Sequence, residues 1–456
     1  MTFRRIRWAW GASVLALAAC GGGAADDGPR NLLLVVLDTT RADYTAPYGA
    51  AADATPTLRA LAERGLTFRE AYSHSSLTPV STGSLLTGVT PNRHGIRGLL
   101  AVDASQTLRE ELATLPELFT RAGRRTAAFV SAPPIGHRYG LDRGFEHYSK
   151  EVGEHKNRIL SQRIGNAFQR RADETLGDAL AWLDENGSEP FAAMVHFFDA
   201  HDASIVPPRE FLEEHLSFPL PEGFEQHQHL VGVLPEDAMR ELYAAEILYM
   251  DGILARLLER VEELGVLDDT VVVVVADHGE GLGAHDFWTH GLLWGEQLRV
   301  PLVLAGPGLP RGVEVGGRAR LVDVLPTLCE LFDVPVPGGL DGSSLLPWTR
   351  GVEPERRDVY AEVHNAEDDS MGRAPELYSL TVGRWKYVHA PASGEHRLFD
   401  LDADPGEEHD LFDPSHEMVP FFPARLEAGG VVSGSGTSAE GVSDEYLEML
   451  EDLGYL

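Results

Sequence analysis

Three uninterrupted apolar segments constrain the fold of this chain more than any other feature. They are NLLLVVL at 31–37, FAAMVHFF at 191–198 and TVVVVVA at 270–276. A strand with one face in water alternates apolar and polar residues, whereas a strand buried on both faces is apolar throughout. Helices must then cover both faces of the sheet. We therefore expect an α/β protein with a large, mostly parallel central sheet flanked by helices.

Acidic residues and histidines follow each of these segments directly. Asp38 follows the first, Asp199 and His201 follow the second, and Asp277 and His278 follow the third. A single aspartate there is more often a loop residue, and a single histidine is more often structural. In open parallel sheets, however, ligands bind beyond the carboxyl ends of the strands. Three such endings predict one shared site, whose oxygen and nitrogen ligands suit a divalent cation.

The segment TPVSTGSLLTG at 78–88 predicts a short helix with a threonine at its start. Pro79 suits the first helical position and Gly88 suits the end. The partial positive charge of a helix N-terminus attracts an anionic ester, and the Thr78 hydroxyl can attack that ester if a cation lowers its pKa. Thr78 can instead be a helix cap, as we expect of Thr55 in the preceding helix. The predicted cation site favours the nucleophile.

Periodicity and turn residues predict the other elements. We expect a strand at 126–130 and helices at 55–65, 108–122, 174–183 and 241–264. Four short segments separated by Gly, Pro and Asp predict a small antiparallel subdomain, at 358–363, 377–381, 385–389 and 397–401. The loop at 90–95 carries Arg93 and His94, which are equally consistent with anion binding and with ordinary loop polarity. Cys329 has apolar neighbours and is expected in a buried helix.

The first residues have the pattern of a bacterial export signal. A basic segment precedes the apolar residues 8–17, and LAAC at 17–20 resembles a lipobox. We expect Cys20 to be lipidated, with an ordinary signal peptide cut nearby as the alternative. The expected location is the periplasmic face of a bacterial outer membrane. The predicted organisation is a signal peptide at 1–19, a tether at 20–30, a catalytic α/β domain at 31–351, a small subdomain at 352–426, and a linker with a terminal helix at 427–456.

The charge of the chain restricts its partners. The formal net charge is −33, from 38 basic and 71 acidic residues. Such a surplus argues against nucleic acid and against electrostatic attachment to acidic lipid, so we expect membrane attachment only through Cys20. It also slows the approach of polyanions, which favours a small or locally shielded anionic ester as substrate.

Several motifs together resemble the sulfatase family within the alkaline-phosphatase superfamily. LDTTRAD at 37–43 and ADHGE at 276–280 are similar to its two metal-binding loops, and SLLTG at 84–88 with RHG at 93–95 is similar to the segment after its nucleophile. Later similar segments are LVDVLPTLCEL at 321–331, LDGSSL at 340–345, LFDL at 398–401 and DPGE at 404–407. The resemblance covers nearly all of residues 31–456 and implies an alkaline-phosphatase-like sandwich.

The nucleophile region departs from the family pattern. Sulfatases carry Cys or Ser followed by x-Pro-x-Arg and convert the Cys or Ser to formylglycine, whereas Thr78, Val80 and Thr82 stand at these positions. Threonine cannot give the aldehyde. Thr39 replaces the second acid of the usual Asp-Asp pair, and His290 occupies roughly the place of a sulfatase lysine. The resemblance therefore points to a threonine-nucleophile branch whose relatives act on phosphate mono- or diesters or transfer phosphoryl-linked groups.

These observations predict a metal-dependent ester hydrolase that favours phosphoesters. The expected ligands of one divalent cation (Ca, Mg, Mn or Zn) are Asp38, Thr78, Asp277 and His278. His290 or His201 is expected to position the leaving oxygen or to help hold a second ion. The expected substrate-binding residues are Thr39, Arg93, His94 and Asp199. The alternatives are a sulfate ester hydrolase acting on a glycan or small ester, and a catalytically silent lipoprotein that binds an anionic glycan.

Overall fold

A computed structural model describes residues 28–99, 106–149, 169–201, 206–220, 234–365 and 375–428. The predicted export signal, Cys20 and most of the predicted C-terminal linker and helix lie outside these residues, so the expectations for them stay predictions. Within the described ranges, no helix is both long enough and apolar enough to cross a bilayer.

An eight-stranded, mostly parallel sheet forms the centre of the described structure. In spatial order its strands are β4 (His147–Tyr148), β3 (Arg125–Val130), β5 (Phe191–Phe197), β1 (Asn31–Leu37), β6 (Thr270–Val275), β7 (Leu302–Ala305), β2 (Gly65–Tyr72) and β8 (Val313–Arg320). Of these strands, β7 alone runs antiparallel to its neighbours. The three apolar segments of the sequence are thus the adjacent strands β5, β1 and β6, in which every residue is buried.

Helices cover both faces of this sheet, which confirms the predicted fold class. The helices are α1 (Pro56–Glu63), α2 (Thr78–Thr87), α3 (Pro91–His94), α4 (Leu115–Arg121), α5 (Ala172–Asn186), α6 (Arg209–His215), α7 (Glu236–Glu263), α8 (Gly295–Leu298), α9 (Val324–Leu331), α10 (Leu346–Thr349) and α11 (Phe421–Ala428). Alternate side chains of β1 enter two cores: Leu34 packs in the core with α2, α4 and α9, and Leu33 packs in the core with α1, α5 and α7.

A second, four-stranded antiparallel sheet follows in the chain, as the sequence predicts. Its spatial order is β12 (Glu395–Asp400), β11 (Trp385–Ala390), β10 (Glu376–Val382) and β9 (Val359–His364). Phe422 and Leu426 of α11 pack against its core residues Tyr378, Tyr387 and Leu398. The domain boundaries drawn from the sequence stay predictions.

Two local predictions need correction. The helix expected at 108–122 is confined to α4, because Thr114 and Glu117 form a capping box that starts the helix after Thr114. The preceding residues are held elsewhere, since the Leu108 N–H donates to the Tyr139 carbonyl at 2.9 Å. The segment expected to be a loop at 90–95 contains the single-turn helix α3. Cys329 is fully buried in α9, as predicted.

Candidate active site

The carboxyl ends of β5, β1 and β6 bring three segments of distant sequence to one edge of the sheet. β1 lies between the other two, and the Asp38 N–H donates to the Phe197 carbonyl at 2.9 Å, which fixes the start of the loop after β1. Asp38, Asp277 and His278 are all fully buried, and each offers a ligand atom within 4.8 Å of the others. This edge is where a ligand site is expected in an open parallel sheet.

Thr78 reaches the same cluster from the first residue of α2. The helix is capped at Leu77 without a side-chain hydrogen bond, and Gly88 ends it in the left-handed conformation. The Thr78 Oγ1 atom lies 3.3 Å from Asp38 Oδ2 and 3.2 Å from His278 Nε2. Because the hydroxyl faces these two groups and makes no capping bond, the helix-cap alternative does not describe its position.

The tautomer of His278 follows from its neighbours. Its Nδ1 lies 2.9 Å from the Gly279 carbonyl, so Nδ1 carries the proton and Nε2 presents a lone pair. That lone pair is 3.4 Å from Asp277 Oδ2 and faces Thr78 Oγ1. Three acceptors therefore converge at this point: a carboxylate oxygen, an imidazole lone pair and a hydroxyl oxygen. The hydroxyl supplies the one proton that they can share. Such a set of acceptors is typical of a cation site.

The two carboxylates influence each other's ionisation. Burial raises the pKa of Asp277, and the negative charge of Asp38 raises it further. Burial also opposes ionisation of Asp38, but the hydrogen bond from His196 and the electrostatic influence of His196, His201 and His278 outweigh this effect and lower its pKa. The pair thus lacks the positive charge needed to keep both groups ionised at low cost, which a divalent cation would provide.

His201 and His290 lie beside this cluster. Their ring centroids are 4.9 Å apart, and the His290 ring is 4.6 Å from that of His278. His201 stacks on Phe198, and burial lowers its pKa to about 3, so it is neutral at pH 7. His290 Nδ1 lies 3.2 Å from Glu280 Oε2. Glu280 is thus a site residue to which sequence reasoning assigned no role, although it belongs to the ADHGE motif at 276–280.

His196 is a second missed residue, because it lies inside an apolar strand. Its Nε2 is 2.7 Å from Asp38 Oδ2, and both side chains are fully buried. The available signal was a polar residue in a strand buried on both faces, since such a residue needs a buried partner. Thr39, expected to bind substrate, instead donates from Oγ1 to Asp38 Oδ1 and from its N–H to Asp277 Oδ1 at 3.0 Å.

Three other predicted substrate-binding residues point elsewhere. Arg93 pairs with Asp341, beyond the far end of α2. The His94 ring is fully buried, and its Nε2 lies 3.2 Å from Ser84 Oγ and 3.1 Å from the Val80 carbonyl.

Asp199 also turns away from the cluster, since its Oδ2 accepts from the Ala172 N–H at 2.9 Å, at the start of α5. These contacts fix local structure. The substrate-binding roles predicted for Arg93, His94 and Asp199 are therefore not supported.

Comparisons with known proteins agree with this architecture. The sulfatase family profile matches residues 30–334, and the profile of the N-sulphoglucosamine sulphohydrolase C-terminal region matches residues 283–420. The chain is 26% identical over 450 residues to a Delta 4,5-hexuronate-2-O-sulfatase of Bacteroides thetaiotaomicron, with 89% of each protein covered. It is 28% identical over 432 residues to a choline-sulfatase of Rhizobium meliloti, with 83% of this chain and 82% of the relative covered.

A solved structure with a similar fold is a phosphonate monoester hydrolase of Agrobacterium radiobacter. The TM-score is 0.67 at 21% sequence identity, with 88% of this chain and 95% of that chain covered. Because the sulfatase profile spans well over half of the sequence and the fold agrees, the chain belongs to the sulfatase family of ester hydrolases.

Proposed function

We propose that the protein is a metal-dependent hydrolase of sulfate monoesters that uses the unmodified Thr78 hydroxyl as its nucleophile. The observation that carries this proposal is the position of Thr78 Oγ1, 3.3 Å from Asp38 Oδ2 and 3.2 Å from His278 Nε2, at the start of a fully buried helix. A capping hydroxyl would bond to a backbone N–H of the first turn. This hydroxyl instead faces the group of side chains that can hold a cation.

The residues present fit a divalent cation. Asp277 Oδ2 is buried and has no hydrogen-bond partner among the described residues, a costly state for a carboxylate oxygen. Asp38, Asp277 and His278 would hold the ion, with Thr78 as a fourth ligand, and this oxygen-rich set suits Ca²⁺, Mg²⁺, Mn²⁺ or Zn²⁺. When bound, such an ion would supply positive charge that favours the Thr78 alkoxide and stabilises the transferred group.

The reaction follows from the positions of the side chains. The Thr78 hydroxyl gives up its proton to water, and Oγ1 attacks the sulfur in line, so that the Oγ–S bond forms while the bond from sulfur to the ester oxygen breaks. The positive end of the α2 dipole lies at the point of attack, where the non-bridging oxygens carry negative charge. A water molecule then attacks the sulfur of the Thr78 adduct, which releases sulfate and restores the hydroxyl.

His290 is a better candidate than His201 for protonating the leaving oxygen. The Glu280 carboxylate, 3.2 Å from His290 Nδ1, stabilises the imidazolium form of His290. Burial keeps His201 neutral instead, since its pKa is lowered to about 3. We therefore assign proton donation to His290 and assign to His201 contact with the bound ester.

The balance of charge favours a monoanionic ester. One divalent cation would neutralise Asp38 and Asp277, and no described lysine or arginine pairs with Asp38, Thr78, Asp277 or His278. Thr82, at the sulfatase arginine position, offers a buried neutral hydroxyl. A dianionic phosphate monoester would therefore be held less well than a sulfate monoester. We therefore propose a sulfate ester as the substrate rather than the phosphoester expected from the sequence. The names of the relatives also support a sulfate ester.

A phosphodiester remains the second candidate substrate, because it is also a monoanion and because threonine cannot give the aldehyde of the sulfatase nucleophile. Matched aryl sulfate, aryl phosphodiester and aryl phosphate monoester substrates separate these classes. We expect turnover that depends on an added divalent cation and that is lowest for the phosphate monoester. A phosphate monoester hydrolysed faster than both monoanions would overturn the charge argument.

Variants of α2 test the nucleophile. Thr78→Val keeps the shape of the side chain but removes the hydroxyl, and we expect turnover to fall by roughly 10³-fold or more. Thr87→Val is the matched control, because Thr87 is buried in the same helix and its hydroxyl donates only to the Gly83 carbonyl. Unchanged turnover in Thr78→Val would end the proposal. Calorimetric binding of a sulfated sugar without turnover in the unmutated protein would favour a silent anion-binding protein instead.

We also propose that the protein is exported and anchored by a lipid on Cys20, on the strength of the sequence pattern at 1–20. Metabolic labelling with a fatty acid in a bacterial host tests this proposal. Label should be incorporated into the protein with Cys20 in place and lost in Cys20→Ser. Equal recovery of both proteins in the soluble envelope fraction would contradict it.

A further inference from the structure

Both oxygens of the Asp38 carboxylate are held by donors that lie outside the candidate ligand set. Thr39 Oγ1 donates to Oδ1, and His196 Nε2 lies 2.7 Å from Oδ2. All three side chains are fully buried, so water does not compete for these bonds. The carboxylate therefore has a fixed orientation before any cation binds.

The proton of His196 is placed by the neighbouring strand. The Ser131 N–H, just after β3, donates to His196 Nδ1 at 3.4 Å, which leaves the ring proton on Nε2 and directs it at Asp38. The Ser131 hydroxyl also donates to the His196 carbonyl at 2.8 Å. Contacts between β5 and the residue after β3 thus determine the direction of the hydrogen bond from His196 to Asp38, in the loop after β1.

Thr39 adopts an unusual backbone conformation to make its contacts. Its φ is +54°, a left-handed value that β-branched residues rarely adopt. The Tyr243 hydroxyl on α7 donates to the Thr39 carbonyl at 2.6 Å and accepts from the Arg41 N–H at 2.9 Å, which holds the turn. In this conformation the Thr39 N–H reaches Asp277 Oδ1 at 3.0 Å while its hydroxyl reaches Asp38. Strain of this kind persists where the surrounding structure enforces it, often at functional sites.

We infer that Thr39 and His196 are positioning residues that together clamp Asp38 at the spacing a divalent cation needs, with Thr39 also orienting Asp277. This inference rests on the proposed function, because the cation is the group for which the carboxylates are positioned. Neither residue is a ligand, since their donor hydrogens point at the carboxylates. Groups that hydrogen-bond metal ligands typically change metal affinity by 10–100-fold when they are removed.

Metal binding without substrate tests the inference on the intact chain. We would titrate Mn²⁺ into each protein by calorimetry and measure the thermal midpoint of the metal-free form. His196→Leu should weaken Mn²⁺ binding by about 10–100-fold, and His196→Gln should recover much of the loss, because its amide can still donate to Asp38. His74→Leu is the matched control, since His74 is also fully buried but bonds to the Tyr360 carbonyl. It should lower the thermal midpoint and leave the Mn²⁺ affinity of the folded protein unchanged.

Variants of Thr39 distinguish a positioning role from a merely structural one. Thr39→Gly should weaken Mn²⁺ binding while the metal-free thermal midpoint stays the same or rises, because glycine adopts positive φ without strain. Thr39→Ser keeps the hydroxyl and should keep the affinity. If His196→Leu and Thr39→Gly bind Mn²⁺ as the unmutated protein does, the inference is wrong. If the unmutated protein binds no divalent cation at the cluster, the proposed function itself fails.

Discussion

The pairing of His290 with Glu280 predicts a dependence of the rate on the leaving group. Glu280→Gln removes the carboxylate 3.2 Å from His290 Nδ1 and leaves a neutral group of the same shape. Both side chains are nearly fully buried, so solvent screens their interaction little. The imidazolium is then less stable, and proton donation to the leaving oxygen weakens. A positioned general acid contributes roughly 10²–10⁴-fold to a rate.

That contribution is needed only when the leaving alcohol is a poor leaving group. For an alkyl or sugar sulfate we expect kcat of Glu280→Gln to fall by about 10²–10⁴-fold, and for a nitrophenyl sulfate by less than about tenfold, because nitrophenolate leaves without a proton. Steady-state kinetics across aryl sulfates of graded phenol pKa measure the effect as a steeper dependence on the leaving group. His290→Gln should show the same steepening.

Loss of activity by the same factor for all leaving groups would refute this role. It would mean that Glu280 only supports the loop from Asp277 to His290. Glu236→Gln is a suitable control, because Glu236 is an exposed acid on α7 that pairs only with Arg240 among the described residues, and it should behave as the unmutated protein.

Three further predictions concern stability. Chelation of divalent ions should lower the free energy of unfolding by about 2.7 kcal/mol relative to a solution at 100 times the Kd, measured by denaturant titration; equal stability with and without chelator would contradict a bound cation. Burial lowers the pKa of His94 to about 3, so the folded state binds fewer protons than the unfolded state. The free energy of unfolding should therefore fall as the pH drops below about 6.5. His94→Gln should flatten this dependence on pH, and an identical slope would refute the assignment. Lys386→Met should lower the free energy of unfolding by about 3–5 kcal/mol, because it leaves the buried Glu407 unpaired. The double variant with Glu407→Leu should recover most of this loss. Equal instability of both variants would show that the pair is not coupled.

The sequence predicted the parts of this molecule that depend on local pattern. The apolar segments at 31–37, 191–198 and 270–276 became adjacent central strands, since a strand buried on both faces has a clear signature. The meeting of Asp38 and Asp277 followed from the rule that parallel strands end at one edge. Thr78 joined them because α2 starts beside that edge, which the pattern of the helix alone did not indicate.

The contacts that depend on tertiary packing were not readable from the sequence. Arg93 and His94 lie in a polar segment, but their partners come from other parts of the chain. Ser84 lies on α2, and Asp341 lies in the loop after α9, where its N–H donates to the Gly88 carbonyl at the end of α2. The role of His196 was not predicted, because its strand is apolar in composition and its partner, Asp38, follows the neighbouring strand. The contacts of Thr39 with Asp38 and Asp277 were not predicted, because a left-handed φ at a β-branched residue cannot be inferred from its neighbours in the chain.

Anomalous diffraction from crystals grown with Mn²⁺ tests the central claim most directly. We predict one peak at the edge of the sheet, within about 2.5 Å of oxygens from Asp38, Asp277 and Thr78 and of His278 Nε2. A peak that is absent at saturating Mn²⁺, or that is bound by other side chains with the Thr78 hydroxyl turned away, would contradict the account.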